Sequence, residues 1–313
     1  MPALYPLEKK DIDNILKHYS IGKHKSHKHL DWALVNTVYE LKTTRGKYIL
    51  KVCGQADEAF IKFQIKIINY LDQKNLPIAN IMRTKSGRLY HHNDLPVIIQ
   101  KFLPGKHPKK YNDKLIHDIA KNMAIINKYL LRLKLNGIHV WRDHFKPFPL
   151  TIGTSSKTNF RTDEKRLLKE FNKLNKKKIR RSIIHSDLRD VNFLVKNNKI
   201  TAFIDWDDAH EDYLPYEIAV FLMDPSVKNK TVNKKFIHLF LEEYQKHLKL
   251  SLDEKKAIYY LIQIRFLSVI GWHHRQMKIH KEHKKRLNKS REEIINNYQT
   301  FRKLTAEEFL DLC

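Results

Sequence analysis

The N-terminal third of the chain mixes two hydrophobic periods. In residues 7–18 and in Ala56–Leu71, apolar side chains recur every three or four positions, which predicts amphipathic helices. Between and after these helices the period is two, and Gly46 suits a turn between two such runs, so we expect an antiparallel sheet. The predicted strands are Trp32–Leu41, Tyr48–Val52, Ile78–Thr84, Arg88–His91 and Pro96–Phe102.

One polar stretch in this region, Ser20–His29, is rich in histidine. His24, His27 and His29 suggest either a metal site or a solvated loop. Because no cysteine or carboxylate joins these histidines at ligand spacing, the pattern favours the loop.

The remainder of the chain has mainly helical periodicity. Leu103, Pro104 and Gly105 end the strand pattern, and no internal repeat follows. We therefore predict an α+β chain with a small N-terminal antiparallel-sheet lobe, residues 1–102, and a larger helical C-terminal lobe, residues 103–313. The predicted helices are Asn112–Leu135, Asp163–Leu174, Tyr216–Met223, Asn233–Leu248, Leu252–Met277 and Arg291–Leu312.

The charge of the chain has two explanations. Its 60 Lys and Arg against 34 Asp and Glu give a formal net charge of +26, which suits a nucleic-acid or anionic-membrane partner. The lysines are however spread along the chain, which has only 8 glycines, as AT-rich coding produces. Composition is the favoured explanation, and no recognition motif supports a nucleic-acid partner.

The two cysteines, Cys53 and Cys313, form neither a disulfide framework nor a zinc pattern. No signal peptide and no membrane-spanning apolar run is apparent, so we expect a cytoplasmic protein without a membrane partner. The oligomeric state is not predicted.

The candidate chemistry lies in Ile184–Val195, IHSDLRDVNFLV, and Phe203–Ala209, FIDWDDA. Asp187 precedes Asn192 by five residues, a spacing typical of the catalytic loop of kinases, and Asp205 ends the second apolar run. Amide and carboxylate oxygens are the ligands that Mg²⁺ prefers, so Asn192 and Asp205 are candidate metal ligands. Singly, each of these residues could cap a turn or helix. Together, their spacing favours phosphoryl transfer.

Two neighbouring features of these runs stay open. His185 is expected among the catalytic residues, where it would support the loop by hydrogen bonds; taken alone, it is better explained as a satisfied core histidine. Asp207 and Asp208 suit either the metal or a solvated turn.

HSDLRDVNFLV followed by FIDWDDAHEDYLPYEIA resembles the motif pair of the aminoglycoside phosphotransferase/choline kinase-like family. The runs LVNTVYEL, YILKV, NYLDQKNLP, IIQKFLPGK and IRFLSVIGW follow the order of its homoserine-kinase-like branch. The resemblance implies a bilobal protein-kinase-like fold whose N-terminal lobe binds nucleotide, with ATP and Mg²⁺ as cofactors. It implies Asp187 as catalytic base, Asn192 and Asp205 as Mg²⁺ ligands, and Lys51 on the phosphates.

The chain departs from the family pattern at several positions. The expected nucleotide loop, Trp32–Tyr39, lacks glycine, and the resemblance suggests that the side chains of Asn36 and Thr37 substitute. Gln64 stands where a glutamate usually pairs with the lysine, and Gln100 and Phe102 are further expected nucleotide contacts.

Arg189 replaces a common histidine, and Ser186 replaces a common glycine. The arginine either stabilises the transferred phosphoryl group, as a catalytic residue, or forms a salt bridge with Asp190 or Asp212.

The acceptor is expected to be a small molecule with a hydroxyl, because no long activation segment follows Asp205. The basic segment Trp272–Arg291 argues against a polycationic acceptor and favours an amino-alcohol or homoserine-like one. The acidic C-terminus AEEFLDLC keeps an aminoglycoside phosphotransferase as an alternative. The glycine-free loop keeps a second alternative, a non-catalytic nucleotide-binding pseudokinase.

Overall fold

A computed structural model describes residues 5–30, 36–54, 58–92, 95–135, 160–279 and 281–313. The chain divides into two compact units. Unit 1 comprises Met1–His107, Phe193–Lys196 and Ile200–Trp206, and unit 2 comprises Pro108–Asn192, Asn197–Lys199 and Asp207–Cys313. In chain order the elements are α1 (Lys9–Leu16), β1 (His24–His29), β2 (Thr37–Thr43), β3 (Gly46–Val52), α2 (Glu58–Asp72), β4 (His91–His92), β5 (Pro96–Lys101), α3 (Asp113–Leu130), α4 (Phe160–Lys173), β6 (Arg181–Ile184), β7 (Phe193–Lys196), β8 (Lys199–Phe203), β9 (His210–Tyr213), α5 (Leu214–Met223), β10 (Val227–Lys228), β11 (Thr231–Val232), α6 (Lys234–His247), α7 (Leu252–Ile279), α8 (Lys284–Phe301) and α9 (Ala306–Leu310).

Unit 1 is built on a five-stranded antiparallel sheet in the order β1-β2-β3-β5-β4. Alternate side chains of β2 are buried, as a period of two requires when one face of a strand packs on a core. Leu41 and Leu50 of this face share a hydrophobic core with Ile12 and Ile15 of α1. The amphipathic pattern of α1 is therefore satisfied by the sheet.

A two-stranded sheet formed by β7 and β8 also belongs largely to unit 1. Asn197 and Asn198 connect the strands with φ angles of 54° and 58°, the left-handed conformation that a two-residue hairpin turn requires and asparagine tolerates. Val195 exchanges two main-chain hydrogen bonds with Lys106, at 2.9 and 3.0 Å. The hairpin is thereby fixed to the segment that follows β5.

Unit 2 is organised around α5, whose ten residues are all buried. It packs against α7, which also contacts α4 and α8, while α3 packs against α6. A helix buried on every side carries no polar face, which explains why the periodicity of Leu214–Met223 is weak. The strands β6 and β9 pair beside it and lead into the candidate active site.

The structure corrects several predicted elements. The polar stretch predicted as a loop contains β1, an edge strand whose main chain pairs with β2. Ile78–Thr84 forms isolated bridges and no strand. The last predicted helix is two helices, α8 and α9, and α9 begins with a capping box at Thr305. Residues 32–35 and the aperiodic stretch 137–156 lie outside the described residues.

None of the helices in the described part of the chain is both long enough and apolar enough to cross a membrane.

Candidate active site

The loop from His185 to Asn192 begins directly after β6. Ser186 has a φ of 63°, a left-handed conformation that glycine adopts at no steric cost. Its hydroxyl donates a hydrogen bond to the carbonyl of Asp208 at 2.7 Å. The serine side chain therefore supports a backbone conformation for which the family commonly uses glycine.

Glu217 of α5 holds the start of this loop. It is 1% exposed, and its two carboxylate oxygens accept hydrogen bonds from the main-chain N–H groups of His185 at 3.1 Å and Ser186 at 2.9 Å. Burial raises the pKa of Glu217, against the nearby His185 and the two N–H donors, which lower it. We did not single out this residue from the sequence, where its only signal is an acid inside the apolar run LPYEIAVFLM.

Asp187 is surrounded by three donors from unit 2. Its Oδ1 lies 2.9 Å from Nη2 of Arg265 and 3.3 Å from Nε of Arg189. Its Oδ2 accepts a hydrogen bond from Nδ2 of Asn192 at 2.9 Å, and the same nitrogen donates to the Asp187 carbonyl at 2.6 Å. The structure thus brings together three of the predicted site residues, Asp187, Arg189 and Asn192.

The partner of Arg189 differs from both predicted carboxylates. Among the described residues it forms an ion pair with Asp187, and not with Asp190 or Asp212. Its side chain remains 36% exposed, so it is accessible from solvent.

Arg265 was not predicted as a site residue. It lies on α7, is 6% exposed, and donates a second hydrogen bond from Nη1 to the hydroxyl of Tyr216 at 3.3 Å. Its signal in the sequence is a single cation inside the apolar run LIQIRFLSVIGW. Buried charges are costly unless they are paired, so such a position indicates a specific partner.

In unit 1, Lys51 and Asp205 lie close together. Lys51 is on β3, between Val38 of β2 and Ile98 of β5, and its Nζ is 3.7 Å from Oδ1 of Asp205. The lysine side chain is 12% exposed and that of Asp205 is 47% exposed. Asp205 has a φ of 62°, a conformation that is rare outside glycine and is often found at functional sites.

Two of the predicted nucleotide contacts, Asn36 and Thr37, lie at the start of β2. Thr37 begins β2, is buried, and accepts a hydrogen bond at its hydroxyl from the N–H of Tyr5 at 2.9 Å. Asn36 directly precedes it, and residues 32–35 of the predicted loop lie outside the described residues.

The other predicted nucleotide contacts lie on α2 and around β5. Gln64 is buried on α2. Gln100 donates a hydrogen bond from Nε2 to the Ala79 carbonyl at 2.8 Å, and Phe102 follows β5, with the Lys47 ammonium 5.3 Å from its ring centroid. Glu58, the nearby acid of α2, forms an ion pair with Lys62 at 3.3 Å and accepts a hydrogen bond from Tyr90.

Each of the two predicted metal ligands carries an oxygen of the type that a hard divalent cation binds. Because Nδ2 of Asn192 is bound to Asp187, the amide oxygen of Asn192 is turned away from that carboxylate. In unit 1, Asp205 presents an exposed carboxylate. Mg²⁺ commonly uses one or two carboxylates and completes its octahedron with water and phosphate oxygens. Within the described ranges no group of three or more His, Cys, Asp or Glu residues is arranged for a metal.

Comparison with known sequences finds one family model, described as the phosphotransferase enzyme family, which matches residues 30–249. The chain is 24% identical to a homoserine kinase of Methylobacillus flagellatus over 252 residues, 77% of each chain. It is 23% identical to a hydroxylysine kinase of Danio rerio over 261 residues, which cover 73% of this chain and 72% of the relative.

Comparison with solved structures confirms the predicted fold. The amicoumacin kinase hAmiN, in complex with AMP-PNP, Ca²⁺ and amicoumacin, superposes with a TM-score of 0.76 at 18% identity over 95% of this chain and 97% of that chain. A microcompartment-associated aminopropanol kinase superposes with a TM-score of 0.72 at 15% identity, over 98% of this chain and 100% of that one. At these sequence identities the structural similarity establishes the fold alone. The chemistry has to be argued from the residues of the candidate active site.

Proposed function

The chain belongs to the phosphotransferase enzyme family and is a small-molecule phosphotransferase, and we propose that it transfers the γ-phosphoryl group of ATP, with Mg²⁺, to the hydroxyl of an amino alcohol. The observation that carries this proposal is the fixed carboxylate of Asp187. Hydrogen bonds from Arg265 and Asn192 and an ion pair with Arg189 hold it at a defined position, in a loop with the spacing of a phosphoryl-transfer site.

In this reaction Asp187 orients the acceptor hydroxyl and accepts its proton as the new O–P bond forms and the bond between the γ-phosphorus and the departing ADP oxygen breaks. His185 and Ser186 present the loop, since their N–H groups are held by Glu217. Arg189 is accessible and is the residue that we expect to stabilise the transferred phosphoryl group.

The nucleotide is assigned to residues 1–102 and the acceptor to residues 103–313. Lys51 would contact the phosphates, and Asn192 and Asp205 would hold Mg²⁺, whose charge neutralises the phosphate oxygens. Asn192 directly precedes β7 and Asp205 is the second residue after β8, so one hairpin connects the two proposed ligands along the chain. The remaining proposed nucleotide contacts are Asn36, Thr37, Gln64, Gln100 and Phe102.

The amino-alcohol acceptor is supported by Asp224, the residue that follows α5. The residue is exposed and forms no hydrogen bond or close ion pair within the described residues. Desolvation by the surrounding protein raises the pKa of its carboxyl. Its electrostatic neighbours include Arg189 and Asp187, which places an available anion near the proposed catalytic base. An ammonium group is the natural partner for such a carboxylate.

The homoserine, hydroxylysine and aminopropanol kinases similar to this chain bear names of acceptors that combine an amine with a hydroxyl. The aminoglycoside alternative rested on the acidic C-terminus. There Glu308 forms an ion pair with Lys234 at 3.2 Å and caps α9 through Thr305. Its carboxylate is thus engaged within the fold, which favours the smaller acceptor.

The test is phosphate transfer from labelled ATP to a panel containing homoserine, hydroxylysine, aminopropanol, choline and an aminoglycoside, with Mg²⁺ and with EDTA. We expect Mg²⁺-dependent turnover on at least one amino alcohol. Asp187→Asn should reduce kcat by about 10²-fold or more, the scale of general-base catalysis. Asp113→Asn, an exposed aspartate paired with Lys235, is the matched control that should keep wild-type turnover.

Mg²⁺-dependent ATP binding without turnover on any acceptor would instead support the pseudokinase alternative. Unchanged turnover in Asp187→Asn would refute the role assigned to that residue.

A further inference from the structure

We propose that Arg265 is the positioning residue of the catalytic aspartate: it occupies Oδ1 of Asp187 so that Oδ2 faces the acceptor hydroxyl. The inference rests on the proposed function of Asp187. It adds a supporting residue from α7 and states which of the two carboxylate oxygens receives the acceptor hydroxyl.

The contacts of Asp187 distinguish its two oxygens. Oδ1 accepts a hydrogen bond from Nη2 of Arg265 at 2.9 Å, and Nε of Arg189 lies 3.3 Å from the same oxygen in an ion pair. Oδ2 accepts one hydrogen bond from the described residues, from Asn192. A carboxylate oxygen has two lone pairs, so Oδ2, away from the two cations at Oδ1, keeps one lone pair to which an acceptor hydroxyl can donate.

The two arginines differ in how firmly they are held. The Arg265 side chain is 8% exposed and is bound at two points, to Asp187 and to the Tyr216 hydroxyl. The Arg189 side chain is 36% exposed and its contact with Asp187 is longer. Arg265 is thus the fixed partner, and Arg189 retains the freedom to move toward a phosphoryl group.

Stability alone does not account for a buried arginine on α7. Removing a charged group from water costs several kcal/mol, and well-packed apolar side chains often replace buried ion pairs without loss of stability. The residues flanking Arg265, Ile264 and Phe266, are themselves buried and apolar. An arginine among these apolar residues therefore indicates a specific role, which is to position the carboxylate of Asp187.

The arrangement ties the catalytic loop to the core of unit 2 at two points. Tyr216 and Glu217 are neighbours on α5: the first binds Arg265, and the second binds the main chain of His185 and Ser186. The backbone of the loop is thereby fixed by α5 directly, and the Asp187 side chain is fixed through α7. Lysine, with one ammonium group on a flexible stem, cannot reproduce the planar fork that reaches both Asp187 and Tyr216.

The test is a double-mutant cycle in kcat, on the full-length enzyme with the acceptor identified from the panel. Arg265→Met should lower kcat by about 10²-fold, the effect of misplacing a catalytic group by about 1 Å. The KM for ATP should stay within about twofold of the wild-type value, because Arg265 is not among the proposed nucleotide contacts. Arg265→Lys should recover only part of the loss. Lys256→Met is the matched control: it removes a different cation of α7 and should keep wild-type kcat.

The decisive comparison is Arg265→Met in the Asp187→Asn background. A residue that acts through Asp187 has nothing left to position there, so the second substitution should change kcat less than about twofold further. Losses that multiply would overturn the proposal and leave Arg265 a structural residue. If Arg265→Met does not fold, as judged by its circular dichroism spectrum, Arg265→Lys is carried through the same cycle.

Failure of the proposed function gives a different result. If Asp187→Asn alone keeps wild-type kcat, the assigned base is wrong, whatever Arg265 does. If Asp187→Asn lowers kcat and Arg265→Met does not, Asp187 remains the assigned base and the positioning role of Arg265 is refuted.

Discussion

The carboxylate of Glu217 offers the sharpest test of how the catalytic loop is held. In Glu217→Gln the side chain keeps its shape, but only one of its two terminal atoms can accept a hydrogen bond. The main-chain N–H groups of His185 and Ser186 then face one carbonyl oxygen, which accepts a hydrogen bond from one of them, and one NH₂ group, which cannot accept. One buried donor is therefore left unsatisfied.

The magnitude follows from these two bonds. Losing one hydrogen bond to a charged acceptor costs about 1.5–3 kcal/mol, and an unsatisfied buried donor costs about 1–3 kcal/mol. Burial raises the pKa of Glu217, so the ionised carboxylate is itself costly, and a neutral amide removes part of that cost. We expect a net loss of about 2–4 kcal/mol in the free energy of unfolding.

Activity should fall further than stability explains. Ser186 has a left-handed φ of 63°, and without the second hydrogen bond this strained conformation relaxes and displaces the adjacent Asp187. A displacement near 1 Å predicts a fall in kcat of about 10²-fold under conditions where the variant is fully folded.

Urea denaturation and steady-state kinetics measure the two effects. Glu211→Gln is the matched control, because Glu211 forms an exposed ion pair with Arg181 at 3.4 Å and should change stability by less than about 1 kcal/mol. A Glu217→Gln variant with wild-type stability and wild-type kcat would refute the reasoning.

Three further predictions concern other positions. Gly105→Ala should cost about 2–4 kcal/mol in urea denaturation, since φ is 146° and a Cβ would lie 2.7 Å from the Thr201 hydroxyl; a neutral result would mean that the backbone yields. Glu254→Ala should cost about 1.5–3 kcal/mol by the same measurement, because it removes a buried carboxylate that accepts from Nε of Arg180 at 2.7 Å, whereas the 36% exposed Arg180 side chain can be rehydrated; a loss below about 1 kcal/mol would contradict this. The pKa of Asp224 is raised above its ordinary 3.8, so its contribution to stability is full below pH 3.8 and is lost as pH rises through the folded pKa. Asp224→Asn should therefore have a higher Tm than wild type at pH 7 without acceptor, yet a higher KM for amine acceptors; an unchanged KM would exclude the ammonium contact.

Local patterns predicted much of the fold, and failed where pairing depended on distant partners. The alternation in Thr37–Thr43 reflects burial of one face of β2, which a sequence displays directly. The strand His24–His29 has no apolar alternation, because it is an edge strand held by main-chain pairing with β2. Ile78–Thr84 forms only isolated bridges, because its residues pair with three different segments: Ile78 with Phe203, Ile81 with Gln100 and Thr84 with Tyr19.

The same distinction explains what could be predicted of the site. Asp187 and Asn192 contact each other across five residues, so their spacing carries the geometry. Their supports come from far along the chain: Glu217 is 31 residues from Ser186, and Arg265 is 78 residues from Asp187. No spacing rule reaches that distance. The placement of Lys51, Asn192 and Asp205 around a nucleotide and metal stays a prediction.

The sequence does contain a different signal for the two residues that support the loop, Glu217 and Arg265. Glu217 interrupts the buried and otherwise apolar helix α5, and Arg265 interrupts the apolar middle of α7. Isolated charges in such helices oppose stability, so they persist only where a partner needs them. In this chain both charges bind one eight-residue loop, His185–Asn192, from two helices that pack on each other. A buried charge in an apolar run therefore indicates the supports of a loop that no spacing rule along the chain could identify.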